Sequence, residues 1–391
     1  MMNSAKATQH MSALFTPLKI RGVTLPNRIA VSPLCMYSAV NGLAQPFHFA
    51  HLSTFARGQA GLVFTEATAV APQGRITPHC LGLWSDEHAN AIKPIVEFIA
   101  SMGVVAGIQL AHAGRKASSA APFHGGKPLA NDDPNAWQVV GPSAIAVAPG
   151  FPVPVELSVE DIGELVTAFA DAAKRSVDCG FEVIELHGAH GYLMHSFLSP
   201  IANQRRDHYG GDLAGRMRFP LEVAKAVRLA VGEDMPLFFR ISAVDGGEGG
   251  WSMDDSVAFS AELGKVGIDV VDCSSGGIHG APRFRASDEG KPLSQSSARV
   301  PGFQVPYAER VKKETQLKSM AVGVIIDPMQ AEAIINEDRA DIVALGREIM
   351  FNPFWPLHAA QTLNADVNFE LWPPQYKWAV DRRDQIRRLN E

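Results

Sequence analysis

Eight short apolar, β-rich runs recur along the chain with helical patterns between most of them, and this alternation restricts the architecture more than any other feature. The runs are Arg28–Pro33, Gly61–Val70, Val104–Ala111, Phe181–His187, Pro236–Ser242, Gly267–Ser275, Met320–Ile326 and Asp341–Gly346. The clearest intervening helix is predicted to start at Ser158, where Ser-Val-Glu-Asp resembles a capping box. Its stripe of Ile162, Leu165, Val166, Phe169, Ala172 and Ala173 keeps the i, i+3, i+4 spacing and stops at Gly180. Ser256–Leu263, followed by Gly264, and Pro328–Ile335 repeat the theme. Strands alternating with helices in this number predict an α/β fold, a single (β/α)8 barrel, rather than an open doubly wound sheet. No Gly-x-Gly-x-x-Gly follows a strand, which weighs against the dinucleotide-binding alternative.

A chain of 391 residues accommodates one large barrel as a single domain. The division expected is an N-terminal extension over 1–11, a barrel with an N-terminal cap over 12–370, and a C-terminal tail over 371–391 suited to an interface. The extension is polar and expected to be disordered, and Met11 is a candidate natural start. Two long connections interrupt the repeat: 112–157, rich in Gly, Pro and Ala, after the third strand, and 276–306, with Arg283, Arg285, Lys291 and Arg299, after the sixth. Both lie on the carboxyl side of the strands, and loops of that length in a compact domain are usually functional. The net charge of −6 and the lack of a basic block argue against nucleic acid as a partner. Cys35, Cys80, Cys179 and Cys273 are dispersed without a Cys-x-x-Cys, which excludes a zinc ribbon or an appended iron–sulfur module and suits a reducing cytosol. Without a signal peptide or a run of apolar residues long enough to span a bilayer, a cytoplasmic location is expected.

In such a barrel the chemistry sits at the carboxyl ends of the strands. The fourth strand delivers His187-Gly188-Ala189-His190-Gly191-Tyr192, two imidazoles and a phenol within six residues. These groups could donate hydrogen bonds and a proton, bind a metal, or pair with backbone. The first strand ends in Ser32-Pro33-Leu34-Cys35-Met36-Tyr37, the second carries Glu66-Ala67, and the third carries Gln109 followed by His112. The fifth delivers Arg240 from an otherwise apolar run, where its charge requires either a partner such as Glu185 or an anionic ligand. Gly323 and the pair Gly346-Arg347, on the last two strands, stand where barrels bind phosphate through backbone N–H groups.

Together the chain resembles the old yellow enzymes, flavin-dependent ene-reductases, of the thermophilic-like bacterial branch. The resemblance runs from about Leu14 to Trp378. It rests on Leu-Phe-Thr-Pro-Leu-Lys-Ile near the start, Asn27-Arg28-Ile29, Ser32 to Tyr37, Gln109-Leu110-Ala111-His112-Ala113-Gly114-Arg115-Lys116, His187 to Tyr192, and Arg206-Asp207-His208-Tyr209-Gly210-Gly211. It implies bound FMN, NADPH or NADH as hydride donor, and hydride delivery to the β-carbon of an α,β-unsaturated carbonyl or nitro compound. It further implies that His187 and His190 hold the substrate oxygen, that Tyr192 protonates the α-carbon, and that Cys35 tunes the flavin. Ser32, Pro33, Leu34, Cys35, Ala67, Gln109 and Arg240 would hold the ring system, and Gly323, Gly346 and Arg347 the phosphate. Tyr37 would line the substrate pocket, and a homodimer or homotetramer is expected.

The chain departs from the family pattern at several positions. Leu34 stands where methionine is usual, a volume-conserving exchange. Gly215 replaces an asparagine. At the C-terminus, an arginine that reaches a neighbouring subunit's site in some relatives is replaced by Trp378, as in xenobiotic-reductase relatives, with Trp355 a second candidate aromatic at the substrate. Two competing readings remain open on the residues alone. One is a metal-dependent barrel hydrolase using His187, His190 and His112, although no Asp or Glu follows at ligand spacing. The other is a non-catalytic flavin-binding scaffold.

Overall fold

The computed structural model describes residues 12–246, 248–279 and 299–390. The proposed extension at 1–11 and the arginines and lysine at 283, 285 and 291 lie outside them. Eight strands close into a parallel barrel in which each pairs with the next along the chain and the last returns to the first. They are β1 (Ile29–Val31), β2 (Leu62–Ala69), β3 (Val105–Ala111), β4 (Val183–Gly188), β5 (Leu237–Ser242), β6 (Val270–Ser274), β7 (Lys318–Val322) and β8 (Ile342–Leu345). Each overlaps one of the eight apolar runs. The largest displacement is β7, which begins earlier than Met320 and ends before Val324. Gly323 and Val324 adopt φ of 128° and 52°, so the backbone leaves the extended direction directly after Val322.

The pleat explains why the runs are apolar throughout rather than alternating. Successive side chains point to opposite faces, and both faces of a closed parallel sheet are buried. Phe64, Val183, Phe238, Val270, Met320 and Ile342 meet inside the barrel. Their neighbours Val63, Ile184, Phe239, Val271, Ala321 and Val343 pack outward in the large core that includes the helices. An antiparallel hairpin, Leu18–Ile20 with Val23–Leu25, closes the amino end by adding Leu18, Ile20 and Leu25 to the inner cluster.

The helix Val159–Asp178 shows how local sequence sets an element. Ser158 Oγ accepts from the Asp161 N–H while Asp161 Oδ2 accepts from the Ser158 N–H, the reciprocal capping box. At the other end Gly180 takes φ of 92° and Phe181 N–H reaches back to the Ser176 carbonyl, a Schellman closure that needs a residue tolerating positive φ. The tail forms a further helix, Pro374–Leu389, bearing exposed Trp378, Ile386 and Leu389. Among the described residues no helix is long and apolar enough to cross a membrane.

Candidate active site

Strand register gathers the polar residues of neighbouring strands at the carboxyl end of the barrel. Ala67 pairs with Gln109 and Gln109 with Glu185; two residues further along, His187 pairs with Arg240 and Arg240 with Asp272. A cavity of about 480 Å³ opens over this end, within the range of small-ligand sites. Ser32, Pro33, Leu34, Arg240, Gly323, Gly346 and Arg347 line it, together with His190, Ser274, Arg299, Phe303 and Gln304.

The loop after β4 is held residue by residue. His190 has φ of 61°, an unfavourable conformation for a residue with a Cβ. Its N–H donates to Ser242 Oγ at 2.9 Å, and its carbonyl accepts from Lys116 Nζ at 2.7 Å. Its ring Nε2 lies 2.7 Å from Ser274 Oγ. Gly191 has φ of 75°, and a Cβ there would stand 2.2 Å from the Gly277 carbonyl oxygen, so only glycine fits. Its N–H donates to His195 Nδ1 at 2.8 Å, while His195 Nε2 faces Asp245 Oδ1 at 2.8 Å in the fully buried interior. Lys116 Nζ also donates to Gly277 O at 3.1 Å and lies 5.1 Å from the centre of the Tyr192 ring. The rings of His187 and His190 stand edge to face 5.2 Å apart, and His187 and Tyr192 do the same at 5.0 Å.

Electrostatics fixes the protonation of these groups. Burial, followed by Arg240 and other cations, lowers the pKa of both His187 and His190 well below the ordinary value, so both imidazoles are neutral at neutral pH. The Ala189 N–H reaches His187 Nδ1 at 3.4 Å, which leaves the ring proton on Nε2. Burial pushes the Tyr192 phenol up, keeping it protonated, and lowers Lys116 to about 8. The Cys35 thiol is likewise pushed up by burial and by Glu66, so it is not a thiolate.

Other residues singled out from the sequence fall in varied places. Arg240 does not pair with Glu185, which sits opposite Phe238; its Nε lies 3.2 Å from Asp272 Oδ2 and its Nη1 donates to Ser32 Oγ at 3.0 Å. It is thus both paired within the barrel and a wall of the cavity. Cys35, Ala67 and Gln109 are not among the cavity walls, although the Ala67 N–H faces the Cys35 sulfur. Tyr37, with φ of 51°, packs on Phe123. Trp355 is 2% exposed and donates from Nε1 to the Ile326 carbonyl at 2.7 Å, so it braces a cavity-wall segment from behind. Trp378 is 62% exposed on the C-terminal helix and is not part of the cavity wall of its own chain. His112 lies buried with Nδ1 accepting from the Gly114 N–H. Among the described residues no three His, Cys, Asp or Glu converge as metal ligands.

Sequence reasoning missed Lys116, Ser274, Asp272 and Gln304, and named Arg299 only as part of the long loop after the sixth strand. Lys116 was visible only as part of the Gln109–Lys116 motif. Its partner Arg115 is buried too, donating to the Ile278 carbonyl at 2.7 Å, and together they tie the long loop after β3 to the loop after β6. Gln304 joins β6 to β7 by accepting from Ser275 Oγ and donating to the Val322 carbonyl.

Comparison with known proteins gives a consistent result. Residues 13–366 match the model of the NADH:flavin oxidoreductase / NADH oxidase family. A protein of Bacillus subtilis (strain 168) named NADPH dehydrogenase is 42% identical over 356 residues, 90% of this chain and 96% of that one. A Bacillus cytotoxicus NADPH dehydrogenase is 44% identical over 369 residues, 94% of this chain and 96% of the relative. Among solved structures, a 2-naphthoyl-CoA reductase complex superposes with a TM-score of 0.79 at 25% identity, covering 90% of this chain and 52% of that longer one. Morphinone reductase superposes with a TM-score of 0.73 at 24% identity over 91% of each chain, a likeness of fold.

Proposed function

This chain belongs to the NADH:flavin oxidoreductase / NADH oxidase family, the old yellow enzymes, and from that membership we propose that it is an ene-reductase acting on α,β-unsaturated carbonyl and nitro compounds. FMN is the cofactor of the family and NAD(P)H its hydride donor. The residues fit that cofactor. One side of the cavity carries two guanidinium groups, Arg299 and Arg347, close enough to repel one another, and the side-chain-free Gly323 and Gly346, a setting for a phosphate. The other side offers Ser32 and Arg240 as donors, while Gln109 stands on β3 behind the cavity wall. Bound there, FMN would supply the hydride chemistry between NAD(P)H and an electron-poor C=C bond, while the residues around it hold and orient the reactants.

Hydride arrival at the β-carbon moves negative charge onto the carbonyl or nitro oxygen, and two fixed neutral donors stabilise it as an oxyanion hole does. His187 supplies Nε2–H. His190 supplies Nδ1–H when the Ser274 hydroxyl donates to its Nε2. Tyr192, protonated in its buried setting, gives its proton to the α-carbon, and the Lys116 ammonium beside its ring stabilises the phenolate left behind. Cys35, a thiol just behind the cavity wall, would tune the cofactor's electronics rather than act as a nucleophile. Trp378 acts on substrate only across an interface with a second copy of the chain.

The observation that carries this reading is the pinned donor loop, with the His187 ring in edge-to-face contact with both His190 and Tyr192. The test is steady-state oxidation of NADPH and NADH by the yellow holoenzyme with cyclohexenone, maleimide and a nitroalkene in turn. Saturable reduction of the alkene is expected. Rapid flavin reduction with no reoxidation by any of the three would overturn the substrate class.

A further inference from the structure

Glu185 and Asp272 point into the barrel in register with Gln109 and Arg240 respectively, and the reaction described above uses neither. Both carboxyls are fully buried, and the two stand within hydrogen-bond reach of each other. Among the described residues, neither oxygen of Asp272, nor Oε2 of Glu185, receives a well-aligned hydrogen bond from another donor. Two ionised carboxylates are both acceptors and cannot bond to each other; one proton between them makes that bond. The charge count agrees. Arg240, with Nε 3.2 Å from Asp272 Oδ2, is the cation that meets the pair. Two carboxylates against one guanidinium leave a net buried negative charge, which costs several kcal/mol, whereas a shared proton makes the cluster neutral.

The neighbours decide where the proton rests. Asp272 faces the guanidinium and keeps its charge. Glu185 Oε1 accepts from the neutral amide of Gln109 at 2.8 Å, and among the described residues no ion pair to Glu185 is seen, Arg240 attracting it only from farther away. Burial first, then Asp272, drives its pKa well above the ordinary carboxylate range. Next to the pair on the same face stand His187, neutral, on β4, and the apolar Phe238 on β5 and Met320 on β7.

We propose that Glu185 and Asp272 share a single proton, held on Glu185, and serve as positioning residues for the flavin. Glu185 takes the Gln109 amide N–H₂ and so leaves the Gln109 carbonyl oxygen as the group turned to the cofactor. Asp272 faces the Nε edge of Arg240 as an ion pair and Ser32 accepts from Nη1, which holds the guanidinium at the cavity wall. The neutral cluster places no net negative charge under a ring system that gains electrons in turnover.

Infrared spectroscopy of the FMN-loaded protein without substrate tests this independently of the alkene chemistry. The carbonyl band of an undissociated buried carboxylic acid should persist from about pH 6 to about pH 9, far above the free carboxylate range, and vanish in Glu185→Gln. Glutamine reproduces the protonated acid, so Glu185→Gln should bind FMN within about twofold of wild type and keep its midpoint potential. Asp272→Asn strips Arg240 of its counter-charge and should weaken FMN by about tenfold or more, corresponding to about 1.4 kcal/mol. Absence of the acid band in wild type, or a tenfold loss of FMN in Glu185→Gln, would overturn the proposal. If Asp272→Asn does not fold, the band and the glutamine variant decide alone.

Discussion

Ser274 offers the sharpest test of how the donor loop works, because it adjusts a donor without being proposed to touch the substrate. Its hydroxyl lies 2.7 Å from His190 Nε2. In Ser274→Ala the ring keeps its backbone anchors to Ser242 and Lys116 but loses the group that selects its tautomer. A neutral hydrogen bond of this kind contributes about 1 kcal/mol, a factor of about 5 in rate. Freeing the tautomer halves the competent population, so the combined loss is about tenfold. His190→Ala removes the donor itself and should cost about 3 kcal/mol, on the order of a hundredfold or more, as should His187→Ala. The assay is stopped-flow reoxidation of pre-reduced enzyme by cyclohexenone, with flavin reduction by NADPH as the control that must stay unchanged. Equal losses in Ser274→Ala and His190→Ala, or no loss in the serine variant beside a large one in His190→Ala, would refute the tautomer argument. Wild-type reoxidation in both histidine variants would refute the donor assignment itself.

Tyr192→Phe should leave reduction by NAD(P)H intact and slow reoxidation by enones; slowing confined to flavin reduction would show the proton donor to be elsewhere. Because Lys116 titrates at about 8, its charge is present below that pH and lost above it, so reoxidation should decline above about pH 8 in wild type and show no such limb in Lys116→Met. Identical pH profiles would remove the lysine from the proton step. Cys35→Ala should shift the flavin midpoint potential and the balance of half-reactions while activity persists, and complete inactivation with flavin bound would argue for covalent chemistry. Burial lowers His112 from 6.5 to about 4, so between those values the unfolded chain binds more protons than the native one. Its contribution to stability is complete above the upper value and lost as pH falls toward the lower one, about 3 kcal/mol in all. Urea midpoints that fall equally steeply with acid in wild type and His112→Gln would contradict this.

The barrel was legible because its signals are local. A strand in a closed parallel sheet must be apolar on both faces, so each run stood out without knowledge of its partners. Ser158, Asp161 and Gly180 likewise act within one helix, and its observed ends follow them. The boundary missed at β7 failed for a backbone reason: Val324, Ile325 and Ile326 have strand-like composition, but positive φ at Gly323 and Val324 turns them into a wall of the cavity. Apolar composition does not report that turn. The motif residues at the strand ends were legible through resemblance, since His187, His190 and Tyr192 lie in one short stretch that could equally have been read as metal ligands.

What the sequence concealed depends on register and on long loops. Arg240 in an apolar strand announces that it needs a partner, and Glu185 on the preceding strand is an obvious candidate. A strand displaced by one residue turns the opposite set of side chains inward, and run boundaries do not fix pairing that finely. In the barrel Arg240 falls opposite His187 and Asp272, which leaves Asp272 to meet its charge and Glu185 to meet Gln109. The signal for Asp272 was nonetheless present in Val270-Val271-Asp272-Cys273, an acid in an apolar strand, as costly unpaired as the arginine beside it. Lys116 carried no such signal. A lysine after a glycine turn reads as solvated, and it becomes a buried cation over Tyr192 only because the loop after β3 folds across the loop after β6 to reach the His190 and Gly277 carbonyls. A buried charge inside a regular strand is therefore recoverable from sequence as a demand for a partner, whereas one delivered by a loop emerges only when the loops are in place.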